Sequence, residues 1–212
     1  MLARVPRSIA HVPALDGLRG AAVAGVLLFH AEGLLRGGFL GVDLFFVLSG
    51  YLITSILVAE HRRSGRIDLR AFWIRRARRL MPALLALVPA VGLYARSFAA
   101  PGELAQIRGD ALATLAYVAN WRAILVRRSY WEMFAAPSPL EHTWSLAIEE
   151  QFYVVWPLVA LVVLRRGPRA LAIVSGVLAL GSIVAMAVLG ASATPNRVYL
   201  GTDTRGAANI SQ

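Results

Sequence analysis

Arg19, His30 and Asp43 are the residues whose types and positions point first to chemistry, because each stands inside an oily stretch. That stretch, Leu15 to Thr54, reads LDGLRGAAVAGVLLFHAEGLLRGGFLGVDLFFVLSGYLIT. Ionisable groups at membrane depth are costly, which makes them functional candidates by default. Arg19 and His30 are eleven residues apart. At about 100° per residue that is three turns, within roughly 20° of one helix face and about 16 Å along it. One face of one helix therefore carries both, and the spacing predicts that they project into a common cavity. Imidazole changes charge near neutral pH and can act as general base or acid toward a hydroxyl. The plainer reading of His30 is a helix-terminal histidine meeting the C-terminal dipole.

Arg19 offers a planar fork of donors for an anion such as a phosphate, or it snorkels to the membrane surface from the first turns of its helix. Asp43 is expected at a depth similar to His30 across a helical hairpin, where a carboxylate orients the ring and favours its charged form. The other reading of Asp43 is an ion pair with Arg19 or Arg36. Asp16 reads as an N-terminal helix cap, or as a partner of Arg19.

Two further groupings stand out. Arg75, Arg76, Arg78 and Arg79 place arginines three apart, neighbours on one helix face that could hold a polyphosphate; the simpler reading is contact with anionic lipid. HTWSLAIEEQFYVVWP, from His142 to Pro157, puts His142, Glu149 and Glu150 at the opening of another apolar helix. Adjacent glutamates point to different faces, so one at most is expected to face a cavity. Acidic residues favourably placed near a helix start, with an aromatic belt of Trp144, Tyr153 and Trp156, explain the segment nearly as well. His11 and His61 read as ordinary surface residues. No spacing resembles a metal site, and no glycine-rich phosphate loop is present.

These residues need elements to hold them, and the composition says which. Apolar residues make up 58% of the chain, yet it carries 22 basic residues against 12 acidic ones. The apolar residues fall in blocks near the length of about 20 that crosses a hydrocarbon core, with charges collected between them. The fold class expected is all-α, a polytopic helical membrane protein with about six hydrophobic helices. Every basic residue is arginine, and these arginines flank apolar blocks, where positive loops set topology; nucleic acid is not an expected partner. With no cysteine, disulfides, thiolate zinc sites and cysteine nucleophiles are excluded.

Helix one is expected over about Val12 to His30 and helix two over about Phe39 to Val58, joined by the turn Ala31 to Gly38 as an antiparallel hairpin. The start of the chain lacks the features of a cleaved signal peptide, so helix one itself should direct insertion. His61 to Arg79 carries eight arginines and one aspartate and reads as the cytoplasmic anchor, which makes the N-terminus cytoplasmic. Leu80 to Tyr94 is apolar despite Pro82 and Pro89; Asp110 to Val126 is weaker, with Asn120 and Arg122; Trp144 to Leu164 and Ala170 to Leu189 are strong. The basic loop Arg165 to Arg169 should also be cytoplasmic, yet three full crossings from the first basic loop would put it outside. Asp110 to Val126 is therefore expected to be a re-entrant, surface or broken helix.

Taken in order, LDGLRG, the ten-residue gap from Arg19 to His30, GGFLGVDLFFVLSGYLIT, IDLRAFWIRRARRLMPALL, HTWSLAIEEQFYVVWP and YLGTDTR resemble the membrane-bound acyltransferase family 3. That group includes bacterial O-acetyltransferases of cell-surface polysaccharides. The resemblance covers essentially the whole chain to Arg205. It implies a bundle of about ten membrane helices, so residues 1–212 are expected to be one membrane acyltransferase domain, truncated after about residue 205. It also implies transfer of an acyl group, often acetyl, from acetyl-CoA inside to a carbohydrate hydroxyl outside, in the inner (plasma) membrane. Acyl-CoA is then a donor substrate, and no permanently bound cofactor is expected. The catalytic roles implied fall to His30 as base, Arg19 at the donor or the thioester carbonyl, and Asp43 as orienting group. Arg75, Arg76, Arg78 and Arg79 would meet coenzyme A phosphates, with Glu149, Glu150 and His142 supporting. Direct transfer and a covalent acyl-histidine are both compatible with these residues.

Two other classes remain open at this point. A non-catalytic truncated membrane fragment would explain the abrupt end at TDTRGAANISQ. An anion-conducting, transporter-like protein would use Arg19 and the inner arginines as a path, although the paired broken helices of inverted repeats are missing.

Overall fold

A computed structural model describes residues 12–31, 34–100, 102–126, 138–192 and 195–210; His11 and part of the first turn lie outside them. The described residues form helices α1 (Pro13–His30), α2 (Leu40–Ser64), α3 (Leu69–Phe98), α4 (Leu104–Leu115), α5 (Ala119–Leu125), α6 (Thr143–Val163), α7 (Pro168–Ser192), α8 (Pro195–Leu200) and α9 (Thr202–Ile210), with a 3-10 turn over Leu164–Arg166 and no strand among them. Four are long and apolar enough to cross a membrane: α2, α3, α6 with its 3-10 extension, and α7. The protein is all-α and polytopic, as its composition predicts. α1, 18 residues long and carrying Asp16, Arg19 and His30, is not among those four.

The chain divides into two compact units. One holds α1, α2 and residues 159–180; the other is built from residues 68–158 and 181–206.

In the first unit α1 and α2 form the expected antiparallel hairpin. Pro13 opens α1, where its missing N–H costs nothing. Val12, not Asp16, is the N-cap, and Asp16 lies within the first turn; the expected side-chain cap is absent. The helices touch backbone to backbone because glycine permits it: a Cβ on Gly38 would collide with the Gly25 carbonyl, and one on Gly41 with the Ala22 carbonyl. Phe46, Ser49, Gly50, Ile53 and Leu57 make the buried stripe of α2, spaced as one helix face requires.

α2 runs six residues beyond Val58. His61, Arg62 and Arg63 occupy its last turn, where cations meet the negative end of the helix dipole, and Gly65 then ends it with φ 69°. The arginine-rich anchor is likewise helical rather than a loop. Asp68 caps α3 by accepting a hydrogen bond from the Ala71 N–H at 2.9 Å, and arginine is a strong helix former.

In the second unit Val91 and Ala95 of α3, Ile107 of α4 and Leu140 in the turn before α6 form one buried cluster. Asp110 to Val126 is broken, as expected. α4 ends at Leu115 and α5 begins at Ala119, with Tyr117 between them at φ 54°, a conformation unusual for a bulky residue.

The junction of α3 with α6 follows from a proline. Pro157 lacks the N–H that would bond the carbonyl four residues earlier, that of Tyr153. Trp73 supplies the substitute, its indole Nε1–H donating to the Tyr153 oxygen at 3.1 Å. One turn further along α3, Arg76 meets Glu150 of α6 at 3.7 Å. The contacts advance along α3 as they retreat along α6. The two helices are therefore antiparallel, and α6 heads toward the arginine-rich end of α3.

Candidate functional site

On α1 the Arg19 guanidinium turns to α2 instead of snorkelling outward. Its Nη2 lies 3.4 Å from the Ser49 hydroxyl, which stands in the buried stripe, and its carbon lies 5.4 Å from the centre of the Phe45 ring. The residue is half-buried. His30, the last residue of α1, bonds backward along its own helix: Nδ1–H donates to the Val26 carbonyl at 2.8 Å. That bond selects the tautomer, since in a neutral ring with its proton on Nδ1 the Nε2 atom carries the lone pair. Phe29 packs edge-on to the imidazole, with centroids 5.3 Å apart.

The cavity expected around His30 is not formed by this stretch: the imidazole is exposed, whereas Asp43 is half-buried. Asp43 stands two residues past Gly41. The register set by the pairs Gly25–Gly38 and Ala22–Gly41 carries it opposite the Arg19 turn of α1, roughly 15 Å along the axis from His30, so the expected position beside the imidazole is not the one the hairpin gives.

The four clustered arginines of α3, Arg75, Arg76, Arg78 and Arg79, separate. Arg75, Arg78 and Arg79 are exposed, and Arg76 is half-buried. Arg76 pairs with Glu150 and lies over the Tyr153 ring, its guanidinium carbon 3.1 Å from the centroid. Glu149 takes a different partner, accepting a hydrogen bond from the Tyr153 hydroxyl. The two glutamates thus diverge as expected: Glu150 is buried, Glu149 half-buried. His142 is not brought to them. It is exposed in the turn before α6, roughly 12 Å from Glu150 along the helix axis. Tyr117 does approach: burial and then the Glu150 carboxylate push its phenol above the ordinary tyrosine range.

Sequence reasoning missed the most connected polar group in the second unit, a closed ring of Asn120, Gln151 and Thr202. Gln151 Nε2 donates to Asn120 Oδ1 at 3.0 Å, Asn120 Nδ2 donates to the Thr202 hydroxyl at 2.9 Å, and that hydroxyl donates to Gln151 Oε1 at 2.7 Å. The spare amide protons satisfy backbone carbonyls exposed by the chain breaks, Tyr117 at 2.7 Å and Leu200 at 3.0 Å. Irregular backbone survives at membrane depth only when its polar groups are satisfied in this way. Ser182 of α7 donates to the Asp203 and Thr204 carbonyls at 2.6 and 3.0 Å, which fastens the start of α9 in the same manner. The signal was present in the sequence: Asn120 and Gln151 are amides within apolar blocks.

Arg122 is structural as well. It pairs with Asp110 at 2.8 Å and lies against Gly109, where a Cβ would strike its guanidinium. Arg197 grips Asp203 with two hydrogen bonds of 2.9 and 2.7 Å, which hold the Asp203 carboxyl below the usual carboxylate range.

These features, an ionisable pair on one helix of an apolar hairpin and a polar interior with a broken helix, belong to a helical membrane protein. The sequence matches the family described as "Acyltransferase domain" over residues 12–200, and the chain belongs to that family. Among curated proteins it is 47% identical over 199 residues to peptidoglycan O-acetyltransferase OatA of Listeria monocytogenes, covering 92% of this chain and 32% of that protein. It is 46% identical to the putative peptidoglycan O-acetyltransferase YrhL of Bacillus subtilis, covering 92% of this chain and 31% of that one. It is also 46% identical to O-acetyltransferase OatA of Staphylococcus aureus, with 92% and 32% covered. The chain therefore spans about a third of the length of these relatives. No solved structure matches it.

Proposed function

We propose that this chain carries the membrane part of an O-acetyltransferase that moves an acetyl group from acetyl-CoA to a hydroxyl of peptidoglycan. The observation that carries the reading is the similarity, across 92% of the chain, to proteins named for that activity. The acyl-CoA donor is the part that rests on chemistry. Arginines at one end of α3 suit a polyphosphate, and His30 at the far end of α1 suits an alcohol.

In this reading His30 Nε2 takes the proton of the acceptor hydroxyl. The alkoxide oxygen bonds to the thioester carbonyl carbon, and the carbon–sulfur bond breaks. The proton held on imidazole then passes to the departing thiolate, so an ester and a free thiol leave and the ring returns to neutral. The Nδ1–H bond to Val26 supports this by keeping the lone pair on Nε2. Arg19, about 16 Å from His30 along the same helix, suits an anionic group of the donor and not the reacting carbonyl. Asp43 acts from α2 on the Arg19 end of the site, and not on the His30 ring. The arginine clusters support a plasma-membrane protein with its N-terminus in the cytoplasm.

The test is a membrane assay of the full-length protein with acetyl-labelled acetyl-CoA and peptidoglycan fragments. Label appearing in glycan as a base-labile ester is the expected result. Acyl-CoA left unconsumed while glycan becomes acetylated from another donor would overturn the donor assignment.

A further inference from the structure

Of the four clustered arginines of α3, one has an environment unlike the rest, and that difference assigns a role to Glu150. We infer that Glu150 is a positioning residue for Arg76, holding this one guanidinium inside the second unit as the fixed anion contact for the donor; the inference rests on the acyl-CoA reading above. Arg76 is gripped from two sides. Its Nη2 faces Glu150 Oε1 at 3.7 Å, and its flat face covers the Tyr153 ring.

Tyr153 is itself immobilised, at 1% exposure. Its carbonyl is bonded by Trp73, and its hydroxyl is bonded to Glu149. Glu149 therefore serves the ring under Arg76, and Glu150 serves the charge.

The pair is incomplete in a way that suits a ligand. Arg76 Nε and Glu150 Oε1 are both buried without a hydrogen-bond partner, so the guanidinium is held by charge and stacking and not by a hydrogen bond, and Nε itself is closed to a ligand. A guanidinium carries five N–H donors, so a single long contact with Glu150 leaves others for an anion. Arg76 keeps 18% of its side chain exposed and Glu150 11%, which leaves the cation the more accessible of the two. A buried cation without its carboxylate is strongly disfavoured; Glu150 offsets that cost and keeps Arg76 in place before an anion arrives. Arg75, Arg78 and Arg79 are exposed on the same helix and add positive charge at that end.

The experiment measures donor and acceptor kinetics separately on the full-length protein in lipid nanodiscs, with binding of free coenzyme A as a second readout. Glu150→Gln is expected to raise the donor KM by about tenfold, the effect of one lost charge-assisted contact. It should leave kcat within about twofold and the glycan KM unchanged, a split that general loss of structure does not produce. Arg76→Ala should raise the donor KM as well, and Glu150→Gln should add nothing in that background. Arg169 is exposed and outside this cluster, and Arg169→Ala should change little. If Gln at position 150 prevents folding, Glu150→Asp, one methylene shorter with its charge kept, is expected to show the same raised donor KM. An unchanged donor KM in the folded position-150 variant, or independent multiplying effects with Arg76→Ala, overturns the positioning role while leaving the donor reading intact. Absence of coenzyme A binding by the unsubstituted protein overturns the donor reading and this inference together.

Discussion

Trp73 donates its indole N–H to the Tyr153 carbonyl, the backbone oxygen that Pro157 deprives of its helical partner. A proline within α6 and a tryptophan on α3 are thus one device. The arrangement predicts a specific non-additivity. Trp73→Phe should destabilise by about 1–2 kcal/mol through the stranded carbonyl. In a Pro157→Ala background, where residue 157 regains its N–H, most of that hydrogen-bond loss should vanish. Thermal unfolding of the detergent-solubilised double-mutant set measures it, and an equal penalty in both backgrounds would contradict the pairing.

The ring of Asn120, Gln151 and Thr202 predicts that a hydroxyl matters more than a shape at position 202. Thr202→Ser keeps the hydroxyl and should fold normally. Thr202→Val keeps the volume but strands Asn120 Nδ2 and weakens the hold on Gln151 Oε1, at about 1–3 kcal/mol for each stranded group. Comparing yield and melting temperature of the two variants decides it; equal stability would mean the ring contributes nothing.

Backbone contact between α1 and α2 predicts a sharp positional contrast among glycines. Gly41→Ala places a methyl against the Ala22 carbonyl, rigid backbone that cannot step aside, and should cost about 1–3 kcal/mol. It should also lower any activity that depends on Arg19 and His30. Gly37→Ala meets open space and is expected to stay within about 0.5 kcal/mol. Parallel unfolding and activity measurements on both variants test the contrast.

Asp203 gives a pH dependence with a defined sign. Its hydrogen bonds from Arg197 hold its carboxyl below the usual range, so the folded form binds its proton less readily than the unfolded chain. That contribution is complete above the ordinary carboxylate pKa of about 4 and is lost as pH falls through the lower folded value. Proteolytic protection of the α8–α9 segment should accordingly weaken in that acidic window. Asp203→Asn should lack the acid-dependent step.

Much of the fold was legible because membrane helices announce themselves by length and apolarity. α2, α6 and α7 lie close to where their apolar blocks predict, and the polar Asn120 and Arg122 foretold the break between α4 and α5. The helix ends were less legible. His61, Arg62 and Arg63 read as loop by charge, although arginine is a good helix former and the dipole welcomes cations there. At the site, Arg19 and His30 were found as ionisable groups among apolar ones. That rule ranked the four clustered arginines of α3 alike, because only packing against Tyr153 and Glu150 distinguishes Arg76 from its neighbours. Asp43 was placed level with His30 by counting from the turn. The chain instead doubles back along α1 at Gly38, which sets Asp43 deeper in the hairpin.

The central claim is that His30 Nε2 moves the proton of the acceptor hydroxyl, and one measurement meets it most directly. His30→Ala and His30→Gln in the full-length protein, expressed in cells lacking their own peptidoglycan O-acetyltransferase, are scored by ester-linked acetate released from purified cell wall. The account predicts near-complete loss of acetate with membrane-inserted protein at its normal level. Acetate at the unsubstituted level in either variant would contradict it.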